Sequence, residues 1–172
     1  METLDVRGLI RMIGAGTSLF YVITDNERYS EGIVAQAAAG VEGMGQPYIW
    51  TCTEGFVKEG VLYKETIEPL PALDFAMAQP GPAMFLFKDL YRFWANNPFI
   101  IRKLKDFAVR SQSNALIVIG EEEAVPEPLR EDLVVLYQGL PAIAEIKAHL
   151  ESLIGGIPLL AQACAADPEF ME

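Results

Sequence analysis

The residues best placed for chemistry come directly after an apolar run. Leu19 to Ile23 (LFYVI) reads as a strand buried on both faces, and Thr24-Asp25-Asn26-Glu27-Arg28-Tyr29 follows it. A strand that feeds a helix is where an α/β protein binds phosphate, because the helix N-terminus offers free N–H groups and partial positive charge. A phosphate loop at this point needs the pattern G-x-x-x-x-G-K-[ST]: glycines let backbone amides close around the phosphates, and the lysine reaches the terminal one. Here there is no glycine and no lysine, and Asp25 and Glu27 stand where phosphate would sit. Like charge at such range opposes binding. Lys88-Asp89 ends another apolar run, the place of a magnesium-linked acid in nucleotide hydrolases. Without a phosphate cradle, a carboxylate there reads as a loop cap or ion-pair partner. Gly14-Ala15-Gly16 precedes its strand instead of following it, so it reads as a helix stop and not as a dinucleotide fingerprint.

The remaining reactive types are scattered. Arg102, Lys103, Lys105 and Arg110 form a basic cluster in an acidic chain, with Phe93 and Trp94 just before it. Two readings stand: contact with an acidic partner surface or nucleic acid, or a solvated helix face paired with Asp106 and nearby acids. The bland one is favoured. His149 is the only histidine, and no nucleophile stands beside it in a triad pattern. Glu121 to Glu123 reads as an exposed acidic loop. Cys52 and Cys164 fit no metal or redox spacing and read as buried free thiols.

These residues need a scaffold, and the hydrophobic pattern supplies one. Leu4, Leu9, Ile10 and Ile13 suit a face of an opening helix. Asn26 can cap a helix reaching about Ala39. Strands are expected at Tyr48–Cys52, Ala83–Phe87, Ala115–Ile119 and Asp132–Tyr137. Thr53 to Lys64 reads either as an irregular excursion or as a small hairpin. A short helix is expected over Ala72–Ala78. Leu90 to Ala95 reads as an aromatic loop, and Asn97-Pro98 starts a helix. Another helix is expected over Ala142–Ile154, with a helical tail after Pro158. The alternation predicts a three-layer α/β/α domain whose mainly parallel sheet has five strands.

Composition narrows the function. Of 172 residues, 51% are hydrophobic and 22% charged, which excludes a disordered chain. Thirteen basic residues against 24 acidic ones leave a net charge of −11, which disfavours nucleic acid and anionic lipid as partners. No apolar run approaches the roughly 18 residues a membrane span needs. Glu2 and Asp5 stand where a secretory leader would be basic. A cytoplasmic protein is expected.

The order of segments resembles the N-terminal region of an AAA+ ATPase family encoded by a conserved open reading frame in cyanobacteria and some plastid genomes. The resemblance rests on Tyr21 to Arg28 (YVITDNER), Ile49 to Phe56 (IWTCTEGF), Ala83 to Leu90 (AMFLFKDL), Ile101 to Asp106 (IRKLKD) and Val125 to Leu129 (VPEPL), and covers about residues 4–155. It implies a degenerate P-loop fold without working Walker motifs, followed in the family by a catalytic module that binds ATP and Mg. That module is missing here. The expected division is a degenerate P-loop-like domain over 1–157 and a helical tail over 158–172 leading toward the missing module. The expected role is a non-catalytic regulatory or protein-interaction domain, with a protein partner or a neighbouring AAA+ subunit and a possible homo-oligomer. No catalytic residue, metal or cofactor is expected in this chain. Contact candidates are Arg28, Asp89, Trp94, Arg102 and Lys105. One rival reading is a weak nucleotide sensor, in which Arg28 and Lys88 face the phosphates and Asp89 is a further candidate. Another is a small enzyme using Asp89 and the Glu121 to Glu123 loop.

Overall fold

Period-two alternation decides which face each central strand residue serves. In β2 (Leu19–Ile23), Phe20 and Val22 pack toward one helical layer while Leu19 and Tyr21 pack toward the other. β6 (Met84–Lys88) and β7 (Ala115–Gly120) divide in the same way, and all six residues of β7 are buried. Such runs have no polar face because both faces are covered. The structure, a computed structural model, describes residues 2–139 apart from residues 96 and 112, together with residues 143, 146, 147 and 150. Residues 1–138 make one compact unit that holds every strand of the sheet.

The elements run β1 (Glu2–Thr3), α1 (Val6–Gly14), β2, α2 (Glu27–Gly40), β3 (Tyr48–Thr51), β4 (Gly55–Lys58), β5 (Val61–Tyr63), α3 (Pro69–Ala78), β6, α4 (Tyr91–Trp94), α5 (Pro98–Arg110), β7 and β8 (Val134–Tyr137). The sheet order is β1-β8-β2-β7-β6-β3-β4-β5. The first six are parallel to their neighbours, while β4 and β5 add an antiparallel ribbon at one edge. Helices α1 and α2 cover one face, and α3 to α5 cover the other. The three layers are as expected, but the sheet has eight strands and not five.

The three strands beyond the expected five have physical reasons. β1 is two residues long, too short to carry a period. β4 and β5 join through Glu59-Gly60, with Lys58 paired to Val61. Both turn residues have positive φ, 50° and 78°, which is the type I′ geometry of a two-residue hairpin. The small-hairpin alternative for Thr53 to Lys64 is the one that forms. The expected aromatic loop at 90–95 is corrected to the single helical turn α4. Asp5, Asn26 and Asn97 cap α1, α2 and α5 through their side-chain oxygens, and Pro98 occupies the first turn of α5. Residues 143, 146, 147 and 150 are helical. The rest of the 142–154 helix, the tail, His149 and Cys164 lie outside the described residues. Cys52, expected to be buried, is exposed on the turn after β3.

Candidate functional site

The C-terminal ends of β2, β6 and β7 meet at one edge of the sheet. Thr24 N–H donates to the Gly120 carbonyl at 2.9 Å, and Asp89 N–H donates to the Ile119 carbonyl at 3.0 Å. Ligands of open α/β sheets bind at this edge. The three ends enclose a cavity of about 50 Å³ lined by Thr24, Asp25, Glu27, Asp89, Gly120 and Glu121, with Ile119 behind them. Four carboxylates and, among the described residues, no cation line it. Such a volume holds one or two waters, at roughly 30 Å³ each, and not a nucleotide.

The α2 N-terminus is capped from within. Asn26 Oδ1 accepts from Tyr29 N–H at 3.1 Å, and the Thr24 hydroxyl oxygen accepts from Asn26 N–H at 2.9 Å. Glu27 occupies the first turn and supplies the negative charge that the helix end favours. Lys88 does not face the cavity. Its Nζ sits 3.0 Å from Glu27 and 2.8 Å from Glu31, tying the end of β6 to α2. Burial works against this ammonium, but the hydrogen bonds and charges of Glu31 and Glu27 outweigh it and leave its pKa raised. Asp89 takes a left-handed backbone, φ 58°, which an aspartate tolerates better than most residues. Its carboxylate lies 3.5 Å from Arg92, whose guanidinium also approaches Glu121 at 3.8 Å. Arg28 is exposed on the first turn of α2 and has no ion-pair partner among the described residues.

Aromatic side chains brace this edge from below. Tyr21 donates from its hydroxyl to the Glu122 carbonyl, and Trp94 Nε1 donates to the Ala124 carbonyl at 2.8 Å. Their rings meet edge to face at 5.2 Å. Burial, with the nearby Tyr91, Glu122 and Asp89, pushes the Tyr21 phenol well above its ordinary 10.0. Gly120 is required here. A Cβ at this position would lie 2.6 Å from the Tyr91 ring and closer still to the Tyr21 hydroxyl. The aromatic composition signals a core, but the anchoring of Glu122 and Ala124 carries no sequence signal.

The proposed contact residues separate. Trp94 is fully buried, which corrects its place among surface contacts: the indole fills the α4–α5 layer and its one donor is spent on Ala124. Arg102 remains exposed but pairs with Asp106 one turn on. That pairing, chiefly the Arg102 hydrogen bond, holds the Asp106 carboxyl below its ordinary range. Lys103 pairs with Asp74, and Lys105 pairs with Asp132 at 3.4 Å while donating to the Pro128 carbonyl at 2.8 Å. The basic cluster is therefore mostly a neutralised helix face.

The model of the SpoVK-like AAA ATPase, N-terminal domain family matches residues 6–137. The chain belongs to this family. It is also 28% identical over 131 residues to an uncharacterized AAA domain-containing protein, ycf46, of Trieres chinensis, a match covering 73% of this chain and 25% of that protein. The chain thus spans about a quarter of the relative's length. The family and the α/β layers agree with the resemblance drawn from YVITDNER and AMFLFKDL. No helix among the described residues is long and apolar enough to cross a membrane.

Proposed function

We propose that this domain is a non-catalytic regulatory or protein-interaction part of an AAA+ ATPase, and that ATP and Mg belong to a separate module of the full-length protein. The observation that carries the reading is the state of Lys88. The one lysine at the ends of the central strands is committed to Glu27 and Glu31, beside a cavity of about 50 Å³ faced by four carboxylates. A phosphate arriving there would meet like charge and would have to displace an internal ion-pair network. The loop-bearing edge is then available for protein contact. Arg28, Asp89, Arg102 and Lys105 are the contact candidates, toward a protein partner, a neighbouring AAA+ subunit or a further copy of the same chain, in a cytoplasmic assembly.

Phosphate release from Mg-ATP tests the non-catalytic half directly. Turnover by this chain is expected to equal the buffer background. Turnover above background that disappears in Lys88→Ala would overturn the reading and make the strand end an active site.

A further inference from the structure

The opposite end of the same sheet carries a roomier cleft. The loops leaving α3 and α5 enclose about 300 Å³ between Gln79 and Gly81 on one wall and Arg110, Ser111, Ser113 and Asn114 on the other, with Met77 at the end of α3. The volume is at the lower end of the range for small-molecule sites. Among the described residues no carboxylate lines it, although the chain has 24 acidic residues against 13 basic. Arg110 is exposed and has no ion-pair partner among the described residues. The acid one turn before it, Asp106, hydrogen-bonds Arg102, and Arg110 adds only to the positive charge around that carboxyl.

The walls are held in place before any ligand arrives. Asn114 is buried, accepts from Ala83 N–H at 3.0 Å and donates to the Gln79 carbonyl at 3.1 Å, stapling one loop to the other. Gly81 permits this approach, because a Cβ there would lie 2.6 Å from Asn114 Oδ1 and collide with the Ser113 hydroxyl. Pre-set walls reduce the ordering cost of binding.

We propose that this cleft binds a small molecule carrying one oxyanion group, a carboxylate or a phosphate, on the Arg110 guanidinium with the Ser111 and Ser113 hydroxyls as further donors. One effect opposes it. Both α3 and α5 end at the cleft, with Gln79 and Ser111 as their C-caps, and helix C-termini carry partial negative charge. At an exposed helix end that effect is worth about two- to fivefold in affinity, so the two ends together oppose binding by about four- to twenty-five-fold. A charge-assisted hydrogen bond from arginine is worth about ten- to a hundredfold, and each hydroxyl adds a further factor of about two to ten. The guanidinium and the two hydroxyls together outweigh the helix ends for one anionic group. A polyanion would also face the net charge of −11 and is disfavoured.

Amide NMR of the whole chain at constant ionic strength, titrated separately with inorganic phosphate and with lactate, tests this. Saturable shifts confined to residues around 79–83 and 110–115 are expected for at least one probe. Which probe saturates identifies the phosphate or the carboxylate as the group recognised. Arg110→Gln should weaken that binding about tenfold or more, and Ser113→Ala about threefold, while Arg28→Gln, which removes an exposed cation on another helix, leaves it unchanged. Shifts that never saturate up to tens of millimolar, that spread over the surface, or that weaken equally in Arg28→Gln would overturn the proposal.

Discussion

The two ends of the parallel sheet differ in a way that topology does not dictate. The C-terminal end of β6 reaches the edge where open α/β sheets hold their ligands, yet its cavity is about 50 Å³ and acidic, and two cations beside it, Lys88 and Arg92, contact carboxylates of the chain itself. The N-terminal end of β6 opens on about 300 Å³ lined by Arg110 and, among the described residues, by no carboxylate. A fold specifies where loops gather. The side chains on those loops decide whether the place is filled from within or left for something else.

Four experiments sharpen or break that contrast. The largest effect belongs to the brace under the C-terminal edge. Trp94→Ala removes a fully buried indole and the donor that holds Ala124, and should cost about 3–5 kcal/mol in urea unfolding. A cost near that of an exposed substitution would mean that the edge is not built on this side chain. Gly120→Ala comes next. Its methyl would press on the Tyr21 and Tyr91 rings and should cost about 1–3 kcal/mol by the same measurement.

The third uses pH. The pKa values of both Tyr21 and Lys88 are raised in the folded protein. A group of this kind contributes stability that is complete below its unfolded pKa and is lost as pH rises through the folded one. The unfolded values are about 10.0 for tyrosine and 10.4 for lysine. Thermal melting should therefore hold steady through neutral pH and fall once pH exceeds about 10. Tyr21→Phe should flatten part of that fall, and an unchanged alkaline profile in this variant would place the titration elsewhere. The smallest effect is expected on the basic helix face. Arg102→Ala removes an exposed pair with Asp106 and should change stability by about 0.5 kcal/mol or less. A larger loss would show that this face does more than stay solvated.

Much of the fold is legible in the sequence because the central strands are long apolar runs: LFYVI, AMFLF and ALIVI can hardly be anything but buried, and each marks its strand to within a residue or so. The caps Asn26 and Asn97 are equally readable, since their chemistry is local. What escapes is short or non-local. β1 offers two residues, and the Glu59-Gly60 hairpin stays one of two readings because its turn begins on a glutamate in a conformation usually given to glycine, asparagine or aspartate. At the site, the apolar run places Lys88 and Asp89 correctly at the end of a strand. Nothing local shows that Glu27 and Glu31, some 60 residues earlier, capture the lysine. Trp94 reads wrongly as a contact residue because its burial depends on Tyr21 and Ala124, which only the folded chain brings to it.

Calorimetric titration of the 172-residue chain with Mg-ATP and Mg-ADP tests the central claim most directly. With Lys88 held by Glu27 and Glu31, no saturable heat and no thermal stabilisation are expected up to millimolar nucleotide. Saturable binding that is lost in Lys88→Ala would contradict the claim, and would mean that the ion pairs open to admit phosphate.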